Sequence, residues 1–231
     1  MRRTGFMAAA IAAHIAWILA LRASGLDPVD APVLRGVVLY GPGLVTAGLA
    51  LAIALRTGLF TASELGLRRQ SWAPLIGLFV AGTIIEVAGP LGTMVASGMN
   101  YDEIVAHLFR HEFRYMYNAQ ALPLTAWDIG VRAVKSLVLV PLTEEIPYRS
   151  LFMPIALTGT SRSWSAVASG LVFFLVHWIA FGGAPHPAYF LHGFGFAWAF
   201  LWAGLPGAVA AHAGVSLGVV ALATFAAFAH T

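Results

Sequence analysis

Two acidic residues, one arginine and two histidines carry most of the chemistry this chain can offer, and all five sit in apolar surroundings. Leu142-Thr143-Glu144-Glu145-Ile146-Pro147-Tyr148-Arg149 interrupts an otherwise apolar stretch running from about Val131 to Leu157. An Asp, Lys or Arg at the centre of a membrane helix costs roughly 2.5–3.5 kcal/mol, so three such charges together approach a gross penalty of roughly 8–10 kcal/mol. Spacing supplies part of the compensation. Glu145 and Arg149 are i and i+4 on a helix and can pair on one face, whereas Glu144 is turned by about 100° and has no such local partner. That makes Glu144 the candidate for chemistry, with Glu145 and Arg149 as its support. The purely structural alternative is a buried ion pair with Glu144 snorkelling toward a headgroup, although ionisable groups at membrane depth are functional by default.

Beyond Arg162 the chain contains no Asp, Glu, Lys or Arg, so its groups that titrate near neutrality are His177, His186, His192, His212 and His230. His177 follows Phe173-Phe174-Leu175-Val176, and His212 sits within Ala208 to Ser216, both deep in apolar runs. One such histidine is often only a bond between helices. Two of them on separate helices, in a chain that also buries Glu144, could orient a water or hold a metal beside a carboxylate acting as general base. Two imidazoles and a carboxylate can also form a Zn²⁺ site with an open position, which would use Glu144, His177 and His212. The His-Glu-x-x-His spacing of zincins is missing, and both metal-bound and cofactor-free chemistry stay open. His186 reads as a loop residue and His192 as the start of a Gly-rich packing face, while His14, His107, His111 and His230 read as surface or interface groups. Glu86, within Ile84-Ile85-Glu86-Val87, is a further buried acid that could contact Arg149 or Arg132 or line the cavity.

These residues need a membrane scaffold to position them. The 231 residues are 59% hydrophobic and 10% charged, with mean hydropathy +0.81. A soluble domain carries about 25% charged residues, so composition alone indicates a membrane protein. Cysteine is absent, which removes disulfides, thiolate metal sites and a Cys nucleophile. The net charge of +3 is scattered and gives no basis for nucleic-acid binding.

The expected fold is all-α: a polytopic membrane bundle of about seven transmembrane helices with an interfacial amphipathic helix before the catalytic core. Spans are expected at Gly5–Leu21, Val37–Leu55, Pro74–Val95, Val131–Leu157, Trp164–Phe181, Pro187–Trp202 and Pro206–Phe228. The first follows Arg2-Arg3 like a signal peptide, but its length and the poor cleavage site Arg22-Ala23-Ser24 suggest a retained helix. Three regions result: 1–97 with the N-terminal spans, 98–130 as the interfacial segment and 131–231 as the helical core. The middle region mixes Tyr101, Phe109, Phe113, Tyr115, Tyr117 and Trp127 with Asp102, Glu103, Arg110 and Arg114, as a surface-lying helix would. The Arg2-Arg3 and Arg68-Arg69 pairs favour a cytoplasmic N-terminus in a bacterial inner membrane, spanned many times.

The order Glu144-Glu145-x-x-x-Arg149, then Phe173-x-x-x-His177, then His212 on a later helix resembles the CPBP family, the CAAX proteases and bacteriocin-processing enzymes, also called Abi. The resemblance covers about residues 130–220 and implies an intramembrane endopeptidase. It implies that Glu144 activates the hydrolytic water with help from His177, that Glu145 and Arg149 hold the geometry, and that His212 serves the oxyanion side. The family's third motif usually continues His-x-x-x-Asn, whereas this chain has Ser216, which offers one donor and less reach. The implied partners are the lipid bilayer and a membrane-anchored protein or peptide. The bacterial setting points away from a prenylated CAAX protein and toward peptide maturation, self-immunity or trimming of membrane anchors. Two other classes compete: a proton-coupled transporter with Glu86, Glu144, Glu145 and the histidines as a relay, and a catalytically silent immunity or scaffold protein.

Overall fold

Backbone polar groups find no water inside a bilayer, so long apolar runs can cross it only as helices or closed barrels. In the computed structural model the runs of this chain are helices. The structure describes residues 3–24, 32–113, 124–181 and 187–230, and no strand occurs among them. The Gly182 to Pro185 turn, Arg114, Tyr115, Tyr117 and His186 lie outside the described residues.

Helix α1 spans Arg3–Ser24, α2 Pro32–Arg56 and α3 Trp72–Ala96. Helix α4, Tyr101–Leu108, continues as a π-helical turn over Phe109–Phe113. It opens with a capping box in which Asn100 and Glu103 satisfy each other's backbone N–H groups. Val105, Leu108 and Phe113 are buried, with Leu108 in a cluster with Met94 and Leu222, and Phe113 in one with Val220 and Ala223. Asp102 and Glu103 stay exposed. The expected amphipathic helix therefore exists, and its apolar face packs on the bundle.

A second helical run, α5, alternates in character: α-helical over Ala126–Val134, π-helical over Lys135–Leu139, α-helical over Val140–Glu145, π-helical over Ile146–Leu151, and α-helical over Phe152–Gly159. Pro141, Pro147 and Pro154 each remove an N–H from the ladder, and widened turns are one way a helix absorbs that loss. Helix α6 is Arg162–Phe181, and α7 covers Ala188–His230.

α7 is two spans rather than one. Ala203 and Gly204 have non-helical dihedrals, with Gly204 at φ 66°. In a straight helix residues 196 and 212 would be about 24 Å apart, yet the Phe196 and His212 rings stack with centroids 4.5 Å apart. The chain thus doubles back at 203–204, as the Gly-Leu-Pro-Gly punctuation at 204–207 predicts. A side chain at Gly204 would also strike the Gly66 carbonyl, which accepts a hydrogen bond from Leu205 N–H at 3.0 Å.

Four helices among the described residues are long and apolar enough to cross a membrane, the longest being the doubled Ala188–Ala229. Tyr40–Arg56 is a shorter apolar stretch. The architecture is an all-α membrane helix bundle. Arg3 pairs with Glu64 at 2.7 Å and Arg162 donates to the Leu201 carbonyl, so these charges share one end of the bundle with the 57–71 loop.

Candidate active site

The acidic motif lies where α5 changes from α- to π-helix. Pro147 has no N–H for the carbonyl one turn earlier, and the widened turn begins at Ile146, directly after the two acids. Glu145 and Arg149 are completely buried, whereas the Glu144 side chain keeps 16% of its surface. The i,i+4 pairing expected from the sequence is present: Arg149 Nε lies 3.1 Å from Glu145 Oε2. The contact is ionic rather than a well-angled hydrogen bond, since neither atom meets hydrogen-bond geometry.

Each member of this pair also holds another helix. Arg149 Nη2 donates to the Gly193 carbonyl in the first arm of α7 at 3.1 Å. Its guanidinium sits over the Phe173 ring of α6 at 4.8 Å and faces Phe196 at 5.5 Å. Glu145 Oε1 accepts from His212 Nδ1 in the second arm at 2.8 Å. One charged pair therefore ties α5 to α6 and to both arms of α7, which is how two charges can be fully buried here.

The same bonds aim the histidines. A carboxylate only accepts, so His212 carries its proton on Nδ1 in this contact and turns Nε2 outward. His177 Nδ1 donates to the Phe173 carbonyl at 2.8 Å, which again fixes the tautomer and presents Nε2. Both Nε2 atoms point to one oxygen: Glu144 Oε2 is 3.8 Å from His177 and 4.0 Å from His212. Those gaps are too wide for direct hydrogen bonds.

An aromatic wall holds the rings in place. Phe173 and Tyr189 lie against His177 at 4.2 and 4.5 Å, and Phe196 stacks on His212. Gly193 makes room for this wall, because a Cβ there would lie 2.7 Å from Phe173 Cβ and 3.0 Å from Gly170 Cα.

Of the expected residues, Glu144, Glu145, Arg149, His177 and His212 are brought together from α5, α6 and α7. Ser216, one turn beyond His212, is half-buried and makes no side-chain hydrogen bond among the described residues. Glu86 contacts neither of the arginines considered for it from the sequence. It pairs with His192 Nε2 at 3.0 Å, joining α3 to α7. His14, expected at a surface or interface, is buried at 8% exposure and lines a cavity with Glu144. Its lone position in an amphipathically indistinct run gave no signal. Gly193, Phe196 and Tyr189 were also missed as site residues, and only the Gly-rich 192–196 pattern hinted at close packing.

Residues 126–218 match the family model described as "Type II CAAX prenyl endopeptidase Rce1-like". The match supports assigning this segment to the CPBP, or CAAX protease, family. No curated protein and no solved structure matches it. That match supports endopeptidase activity in the membrane in general terms. All five converging residues and Ser216 fall within the matched segment, whereas His14, Glu86 and α1 to α4 lie before it. The donor set Glu144, His177 and His212 has the right chemistry for Zn²⁺, but no three His, Asp or Glu side chains among the described residues are gathered closely enough to hold a metal ion.

Proposed function

We propose that this protein is an intramembrane endopeptidase that hydrolyses a peptide bond with a water activated by Glu144. The observation that carries the reading is the convergence of His177 Nε2 and His212 Nε2 on Glu144 Oε2, with both rings held through Nδ1. A water bridging these groups gives its proton to Glu144 as its oxygen adds to the scissile carbonyl. His177, unprotonated at Nε2, accepts a hydrogen bond from the water's second hydrogen, which stays on the attacking oxygen, and so orients the attack. The tetrahedral oxyanion takes a hydrogen bond from His212 Nε2–H when that ring is protonated on both nitrogens. Glu144 then passes its proton to the departing amine, and the peptide bond breaks.

Glu145 and Arg149 act by holding His212 and the α5–α7 junction. Ser216 stands where the family usually has Asn and supplies at most one donor. The substrate is a membrane-associated protein or peptide, since the site lies among membrane helices.

The test uses purified protein in detergent with two quenched fluorogenic probes: a peptide ending in a prenylated Cys-a-a-X sequence and a peptide ending in a single apolar helix. Wild type should cleave one of them, and Glu144→Gln should lower kcat by about 10²–10⁴-fold, the usual range for losing a general base. His177→Ala should also lose activity, and a strong chelator should leave wild type unchanged. Full turnover by Glu144→Gln, or no cleavage of either probe by wild type, would overturn the reading.

A further inference from the structure

The Glu144 side chain faces a second compartment that neither His177 nor His212 lines. It is a cavity of about 60 Å³ bounded by His14, Trp17 and Ile18 of α1, Tyr40 and Gly43 of α2, and Thr143 and Glu144 of α5. That volume suits one or two waters, whose share of liquid volume is about 30 Å³ each.

His14 is more than nine-tenths buried, yet its Nδ1 has no hydrogen-bond partner among the described residues. Its ring meets Tyr148 edge-on at 5.6 Å, and the buried Tyr148 hydroxyl also lacks a partner among those residues. A buried polar atom left unsatisfied costs about 1–3 kcal/mol, and native structures rarely tolerate it without water or a ligand. Gly43 keeps the space open: a Cβ there would lie 3.5 Å from Thr143 Cγ2 and 3.8 Å from His14 Nδ1, in ordinary contact with both. Thr143 Oγ1 is turned to the Leu139 and Val140 carbonyls, which spends its proton within α5. That leaves His14 as the imidazole facing Glu144 across this space.

We propose that His14, from a helix outside the family-matched segment, is a positioning residue that holds water against Glu144 in this cavity and so orients the carboxylate toward the His177 and His212 side. This inference rests on Glu144 being the base. Bound from behind by an ordered water, one Glu144 oxygen is fixed while Oε2 remains free to meet the hydrolytic water. Without His14 the carboxylate can rotate away, and the loss falls on turnover rather than on substrate binding.

Three variants test it with whichever of the two fluorogenic probes wild type cleaves. His14→Phe preserves ring volume and the edge contact with Tyr148 but cannot bond water. It should lower kcat about tenfold or more, with KM within about twofold and the thermal midpoint unchanged, because a mispositioned group costs rate without costing affinity. His14→Gln, which keeps hydrogen-bonding capacity, should recover most of that loss. Gly43→Val fills the same cavity from α2 without altering His14 and should reproduce the kcat loss, which keeps the test valid if His14→Phe fails to fold. Wild-type kcat in His14→Phe or in Gly43→Val would overturn the proposal, as would equal losses in His14→Phe and His14→Gln, the mark of a packing role. If instead Glu144→Gln is fully active, or wild type cleaves neither probe, the endopeptidase reading itself has failed, a result distinct from any His14 outcome.

Discussion

Replacing Arg149 by Ala separates the residues that hold this site from the one proposed to do its chemistry. Arg149 and Glu145 are both completely buried, and removing one partner of such a pair costs about 3–5 kcal/mol because the other charge is left uncompensated. The guanidinium also donates to the Gly193 carbonyl and rests on Phe173 and Phe196. A hydrogen bond to a charged group contributes about 1.5–3 kcal/mol, and a desolvated cation–π contact about 2 kcal/mol. These contributions share a single group and do not add in full. Taking about 4 kcal/mol as the net loss, and about 2–4 °C per kcal/mol for a chain of this size, the thermal midpoint should fall by about 8–16 °C.

Intrinsic fluorescence or circular dichroism of the detergent-solubilised protein reads this directly. Glu144→Gln, in the same assay, should melt within about 3 °C of wild type, since Glu144 makes no contact closer than 3.8 Å to either histidine. Removing both charges, as in Glu145→Gln with Arg149→Met, should restore part of the lost stability, because a buried pair is often replaceable by a neutral, well-filled one. If Arg149→Ala melted within about 3 °C of wild type, the claim that this pair ties α5 to α6 and α7 would be refuted.

Other expectations are narrower. Gly193→Ala should lower stability by about 1–3 kcal/mol, since its Cβ meets Phe173 Cβ and the Gly170 backbone and cannot be accommodated without moving one of them; an unchanged melt would show the α6–α7 contact to be looser than described. At the charged end of the bundle, the Thr61 N–H and then Arg3 hold the Glu64 carboxyl below its ordinary value near 4.5. A depressed carboxylate stabilises the fold above its unfolded pKa, and that contribution is lost as pH falls through the folded value. Wild type should therefore lose a small stability increment below about pH 4.5 that Glu64→Gln lacks, an effect reduced by exposure and by salt. Parallel melting curves for the two proteins from pH 7 to pH 3 would remove Glu64 from that account.

The sequence by itself determined the membrane class, the long apolar helices and the Glu145–Arg149 pair, because hydrophobic run length and i,i+4 spacing are local properties. It also marked the break at 203–204, where Gly204 and Pro206 together disfavour continuing the helix. It located Glu144, His177 and His212 as candidates, since a charge or an imidazole inside an apolar run is visible without any fold. Tertiary structure alone decided how these groups face one another. The hairpin in α7 turns His212 back onto Glu145, and the carbonyl of Phe173 selects which nitrogen of His177 points at Glu144. Glu86 found His192 rather than an arginine for the same reason: the identity of a long-range partner depends on helix rotation and depth, which no local pattern encodes. His14 is the clearest case. Nothing in its neighbourhood along α1 distinguishes it from a lipid-facing histidine, and only the packing of α1 against α2 and α5 encloses it beside Glu144.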